Sequence, residues 1–208
     1  MTRPVRLLAV SIASLASLLA VDGTARSQDE SGDLPRVIEA LALAPGSRVA
    51  EVGAGDGDLT LGLARHVGAD GRVFTTELGG SRVRTLRKTV SAAGLAQIDV
   101  IEAATTRTNL ADACCEAIVM RDVYHHFGDT VAMNASLLAS LRPGGRLAIL
   151  DFAPPPGQES RTAEGRSRDG HHGVGRQTVS RELTEAGFTV LSSEPLKGRR
   201  FMVVARKP

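Results

Sequence analysis

With 208 residues, 42% of them hydrophobic and 23% charged, the chain has the length and composition of one globular domain and is too short for two ordinary ones. A formal net charge of +2, 3% aromatics and no Trp argue against a nucleic-acid surface, which needs a basic stripe and stacking rings. The expected partner is a small molecule, with no nucleic acid.

Taken in chain order, Arg3 and Arg6 precede an uncharged run from Leu7 to Val21, after which Asp22-Gly23-Thr24-Ala25 offers small residues for cleavage. That is the layout of an export signal, and the run is shorter than the roughly 20 residues a membrane-spanning helix prefers. Residues 1 to 25 are therefore expected to be a signal peptide, directing a periplasmic or secreted protein with no stable membrane insertion after its removal. Residues 26 to 208 are expected to form a single domain. An uncleaved anchor, or a cytoplasmic protein whose start site is set too far upstream, remain open alternatives.

Asp33-Leu34-Pro35 reads as a helix start, with Asp33 as capping side chain and Pro35 in the first turn. Val37, Ile38, Leu41 and Leu43 give an apolar face before Pro45-Gly46 ends the helix. Arg48-Val49-Ala50-Glu51-Val52 then reads as a strand carrying one acid, and it runs into Gly53-Ala54-Gly55-Asp56-Gly57. Alternating glycines here let backbone approach a ligand closely, at the N-terminus of a helix that begins near Leu59. A dinucleotide turn would require a third glycine where Asp58 stands, and a phosphate-binding loop would require a Gly-Lys-Ser/Thr that is missing.

Gly71 to Glu77 reads as a second strand ending in a carboxylate, an acceptor-only group suited to a ribose diol. Ser81 to Ala93 is a helix with Val83, Leu86 and Val90 inward and Arg82, Arg84, Arg87 and Lys88 on a solvated face, stopped by Gly94. Ile98 to Glu102 is the third strand. Adjacent Cys114 and Cys115 are expected to be small buried thiols, because a bond between neighbours closes a strained ring.

Glu116 to Arg121 is an apolar strand followed by the polar and aromatic cluster Asp122-Val123-Tyr124-His125-His126-Phe127. Val131 to Leu141 is a helix, and Pro143-Gly144-Gly145 breaks it and turns the chain toward the strand Leu147 to Asp151. Residues 153 to 176 lack apolar periodicity, which suits either a lid over the pocket or a segment that orders on binding. A last helix ends at Gly187, and two runs around Val190 and Val203, joined through Pro195 to Gly198, fit an antiparallel hairpin. Strands alternating with helices and closed by a hairpin predict a mostly parallel sheet with helices on both faces.

The acid-x-Gly-x-Gly-x-Gly pattern at Glu51 to Gly57, the acid at Glu77, the segment Val123 to Asp129 and the Leu141-Arg142-Pro143-Gly144-Gly145 turn resemble the class I S-adenosylmethionine-dependent methyltransferases. The similarity is to the ubiquinone/menaquinone-biosynthesis type, over roughly residues 31 to 208. It implies an α/β, Rossmann-like, doubly wound sheet of seven strands, S-adenosylmethionine as cofactor, and methyl transfer to a small acceptor by in-line displacement. The cofactor-side residues it implies are Glu51, Gly53, Ala54, Gly55, Gly57, Glu77, Glu102, Arg121 and Asp122. His125, His126 and Tyr124 are the candidates for handling the acceptor or its proton; the competing role for the histidines is to shape the cofactor site.

One departure stands out: relatives carry a Gly-Asp-Ala stretch after the third strand, where this chain has Glu102-Ala103-Ala104-Thr105-Thr106. Either Glu102 substitutes for that acid, or backbone and packing hold the adenine. The competing function is a nucleoside-binding module without transferase activity. No metal is expected, since His125-His126, His171-His172 and Asp151 lack the spacing of a ligand set.

Overall fold

The computed structural model describes residues 32–168 and 173–208. The expected export signal at residues 1 to 25, and His171 and His172, lie outside the described residues. Strands β1 Arg48–Val52, β2 Arg72–Leu78, β3 Ile98–Ala103, β4 Cys115–Arg121, β5 Leu141–Phe152, β6 Thr189–Pro195 and β7 Arg200–Arg206 form one sheet in the order β3-β2-β1-β4-β5-β7-β6. The first five are parallel, and β7 runs antiparallel to both β5 and β6. This is the seven-stranded, doubly wound arrangement with a C-terminal hairpin that the sequence leads one to expect.

Helices α1 Asp33–Leu41, α2 Asp58–Val67, α3 Gly80–Ala93, α4 Thr130–Ser140, α5 Ala163–Arg168 and α6 Arg176–Glu185 accompany the sheet. Both faces are covered, so the central strands are apolar without alternation. Val49, Ala117, Val119, Ala148 and Leu150 pack with Val37, Leu59 and Leu63 on one side. Ala50, Ile118, Met120, Leu147 and Ile149 pack with Met133, Leu137, Val179 and Leu183 on the other. Strand order reverses between β1 and β4, the switch point outside whose carboxyl ends ligands bind in open parallel sheets.

Four local expectations are revised. Gly32, not Asp33, is the N-cap of α1; Asp33 is fully buried in the first turn, where Arg200 of β7 donates to its two oxygens at 3.2 and 2.9 Å. The Pro143-Gly144-Gly145 turn lies inside β5, where the register jumps from Cys115 opposite Leu141 to Ala117 opposite Arg146. The cysteines are buried as expected but bonded to each other, and among the described residues no free thiol is present. The 153–176 segment is partly helical: α5 is held by the buried Arg166, whose guanidinium grips Glu182 of α6, an ionic anchor that a search for apolar periodicity passes over. Among the described residues no helix is long and apolar enough to cross a membrane.

Candidate active site

The chain leaves β1 through Gly53, and the N–H groups of Gly53 and Ala54 both donate to the Thr76 carbonyl of β2, at 2.9 and 3.0 Å. This ties the turn to the second strand tip. Gly53 has φ 77°, and a Cβ placed on it would come within 2.5 Å of the Val123 side chain, so the turn and the segment after β4 meet only because that atom is missing. Gly55 has φ 56° with open space where a Cβ would project. A side chain there would be strained and would occupy the hollow.

Glu77, 5% exposed, closes the second side. One carboxylate oxygen accepts the Gly55 N–H at 2.8 Å and the other accepts the Leu78 N–H at 2.8 Å. Each oxygen retains a lone pair, so the group is held in place while still able to accept from a diol. Next to it the Thr76 hydroxyl is buried without a hydrogen-bond partner among the described residues, an expensive state unless a ligand supplies one.

These groups border a cavity of about 780 Å³, within the range of small-molecule sites. Its far wall comes from Ala103 to Thr106 after β3 and from Val123, His126, Phe127 and Met133 after β4. A second, polar hollow of about 470 Å³ adjoins it, sharing Gly53, Gly55, Arg121 and Asp122, and adds Asp33, Glu51, Asp58 and Arg200. Arg121 pairs there with Asp58 at the start of α2. Glu51 lies 1% exposed beneath the turn, receives the Thr60 hydroxyl, and burial pushes its pKa up to about 8.

The structure thus brings together Glu51, Gly53, Ala54, Gly55, Glu77, Arg121 and Asp122 around two adjoining hollows. Gly57 stands just behind them as the residue from which α2 starts. The Glu102 side chain is exposed and does not line the cavity; Thr105 and Thr106 are there instead. Of the three candidates Tyr124, His125 and His126, His126 lines the cavity. His125 is buried, its Nδ1 2.8 Å from Asp151, which also accepts its backbone N–H at 3.1 Å.

Tyr124 is fully buried; its hydroxyl donates to Glu182 and accepts from Asn134, both at 2.9 Å, and burial together with Glu182 drives its pKa upward. Asp33, Asp58, Thr76 and Arg200 were not legible as site residues. Asp33 and Arg200 stand 167 residues apart, and no local pattern marks a pair that only β7 joins. Among the described residues no group of three His, Cys, Asp or Glu side chains could hold a metal ion.

Sheet order and switch-point cavity define a Rossmann-like, doubly wound α/β domain. A family model described as a methyltransferase domain matches residues 49–145. The ubiquinone/menaquinone biosynthesis C-methyltransferase UbiE of Teredinibacter turnerae is 30% identical over 119 residues, 57% of this chain and 48% of that protein. The chain thus spans about half the length of the curated relatives it matches.

A solved S-adenosylmethionine-dependent methyltransferase from Aquifex aeolicus superposes with a TM-score of 0.73 at 22% identity, over 85% of this chain and 90% of that one. Geranyl diphosphate C-methyltransferase of Streptomyces coelicolor, solved with Mg2+, geranyl diphosphate and S-adenosyl-L-homocysteine, gives 0.69 at 12% identity, over 86% and 78%. At such identities the two structures establish the fold. The sequence matches, a methyltransferase-domain model over residues 49–145 and relatives spanned over about half their length, mark the chain as similar to S-adenosylmethionine-dependent methyltransferases.

Proposed function

We propose that the chain transfers a methyl group from S-adenosylmethionine to a small-molecule acceptor. The observation that carries this reading is the Glu77 carboxylate hydrogen-bonded to Gly55 across the tips of β1 and β2, beside the 780 Å³ cavity. The residues present fit the cofactor: a carboxylate for the ribose, an unsatisfied Thr76 hydroxyl, bare main chain at Gly55, and an apolar wall at Phe127 and Met133 for a flat base. When bound, the cofactor supplies a methyl carbon already activated by sulfonium charge, so alignment of the nucleophile is the main catalytic requirement.

In this reading Glu77 accepts from the ribose hydroxyls, and the Gly53 to Gly57 turn lies along the amino-acid portion. Asp33, Asp58 and Asp122 set a negative field suited to its ammonium, and Arg121 faces its carboxylate. Of the three residues proposed for the acceptor, His126 is positioned to orient it or take its proton, since its ring borders the cavity. His125 and Tyr124 support that turn from the core. The binding-module reading draws on the Glu102 side chain lying away from the cavity, which leaves the base to hydroxyls and backbone.

Calorimetry of the full chain with S-adenosylmethionine tests both readings. Wild type is expected to bind, and Glu77→Ala and Gly55→Val to weaken binding by about a hundredfold, the loss of one or two charge-assisted hydrogen bonds in the first case. A wild type that gives no heat in several buffers removes both readings. If it binds, turnover with candidate acceptors separates enzyme from binder.

A further inference from the structure

The strand tips carry a third hollow that the cofactor reading does not use. Because β7 runs against β5, its first residue, Arg200, lies opposite Phe152 at the edge where the parallel strands end. The same reversal sets Arg199 beside the segment that leaves β5. Helix α6 starts at Arg176 against that segment too. The three guanidiniums and Glu159 line a hollow of about 320 Å³. Arg200 also walls the polar hollow at the glycine turn, so a molecule seated in the third hollow reaches toward the methyl-transfer centre.

Charge in this hollow is unbalanced. Arg200 is committed to Asp33, with Asp122 at 3.8 Å. Arg199 donates only to the Ala153 carbonyl at 2.9 Å and Arg176 only to the Ser193 carbonyl at 3.0 Å, and among the described residues neither meets a carboxylate. A guanidinium carries five N–H donors in a planar fork, so one neutral carbonyl leaves most of it unused. Glu159 does not supply the balance, since its Oε1 is turned to α6, accepting the Gly175 N–H at 2.9 Å and the Thr178 hydroxyl at 2.7 Å. Two such forks lining one hollow suit a planar or tetrahedral oxyanion.

We propose that this hollow binds the carboxylate or phosphate group of the methyl acceptor, docked on Arg176 and Arg199 with its reacting atom toward Asp122. The proposal rests on the methyl-transfer reading and adds the acceptor class, a small organic anion.

The test titrates the isotopically labelled full chain with inorganic phosphate and with succinate at constant ionic strength. Saturable resonance shifts centred on Gly175, Arg176 and Arg199 are expected. They should weaken about tenfold or more in Arg176→Gln and Arg199→Gln, which keep an N–H for the carbonyl and lose the charge. Shifts that only follow ionic strength, or persist in both variants, overturn the proposal. Cofactor calorimetry on the double variant is expected to match wild type within about twofold, because its changes lie outside the cofactor hollows.

Cofactor binding without anion binding overturns this proposal and leaves the methyl-transfer reading standing. Anion binding without cofactor binding removes that reading and the acceptor assignment with it. Turnover of carboxylic acids and phosphate monoesters against their neutral amide or alcohol counterparts completes the test and separates the two anion types. Preference for an anionic member is expected, with KM raised about tenfold and kcat held in the double variant. Equal use of the neutral compounds overturns the proposal.

Discussion

Glu51 shows how far one buried acid departs from its behaviour in water. Its carboxyl is 1% exposed, and burial moves its pKa from an ordinary 4.5 to about 8, against the opposing effects of the Thr60 hydrogen bond and Arg121. Between those two values the unfolded chain has released the proton and the folded chain retains it. Unfolding therefore releases a proton, and stability falls as pH rises through that window. The contribution of neutral Glu51 is fully present below 4.5 and lost by about 8. Glu51→Gln, of the same shape and permanently neutral, is expected to flatten this slope and to gain in melting temperature over wild type as pH rises. Parallel melting curves for the two proteins from about pH 5 to 8 would show that Glu51 ionises normally.

At the scale of elements, α5 depends on one ionic anchor. Arg166 is buried against Glu182 of α6, and Glu182 in turn receives the Tyr124 hydroxyl. Tyr124 belongs to the 3-10 turn Tyr124–His126, which also carries His126 to the cavity. The 153–168 segment is thereby connected to the site through side chains instead of an apolar stripe. Removing one partner of a buried pair leaves a charge uncompensated, so Arg166→Ala should destabilise the fold by about 3 kcal/mol in urea unfolding. Arg166→Met combined with Glu182→Leu should recover much of that loss, since both charges leave together. Additive losses in the double variant would mean that the two side chains act independently.

For the molecule as a whole, cofactor and fold are thermodynamically linked. The proposed ligand touches turns after β1, β2, β3 and β4, which unfolding would separate. A ligand that binds only the folded chain adds about 2.7 kcal/mol at a hundredfold excess over its Kd. S-adenosylmethionine and S-adenosylhomocysteine are therefore each expected to raise the melting temperature by a few degrees, in a concentration-dependent way, with Glu77→Ala losing most of the shift. The vicinal disulfide acts at no such distance: a bridge between neighbours closes almost no loop, so chain entropy gives it little leverage on the unfolded state.

The sequence by itself determined the sheet class, the glycine turn and the acid at the second strand tip, because these rest on local pattern: apolar runs, residues that permit close backbone approach, and a carboxylate where a strand ends. It also set the His125-His126 turn after the fourth strand, without saying which residue borders the cavity. Only tertiary structure decided that His126 borders the cavity while His125 is held by Asp151, since that partner arrives from β5. The bond between Cys114 and Cys115, the Asp33–Arg200 pair and the arginine-lined hollow were decided there as well. The last two join residues far apart in the chain through the reversal of β7, and pairing at that distance has no period for a sequence to display.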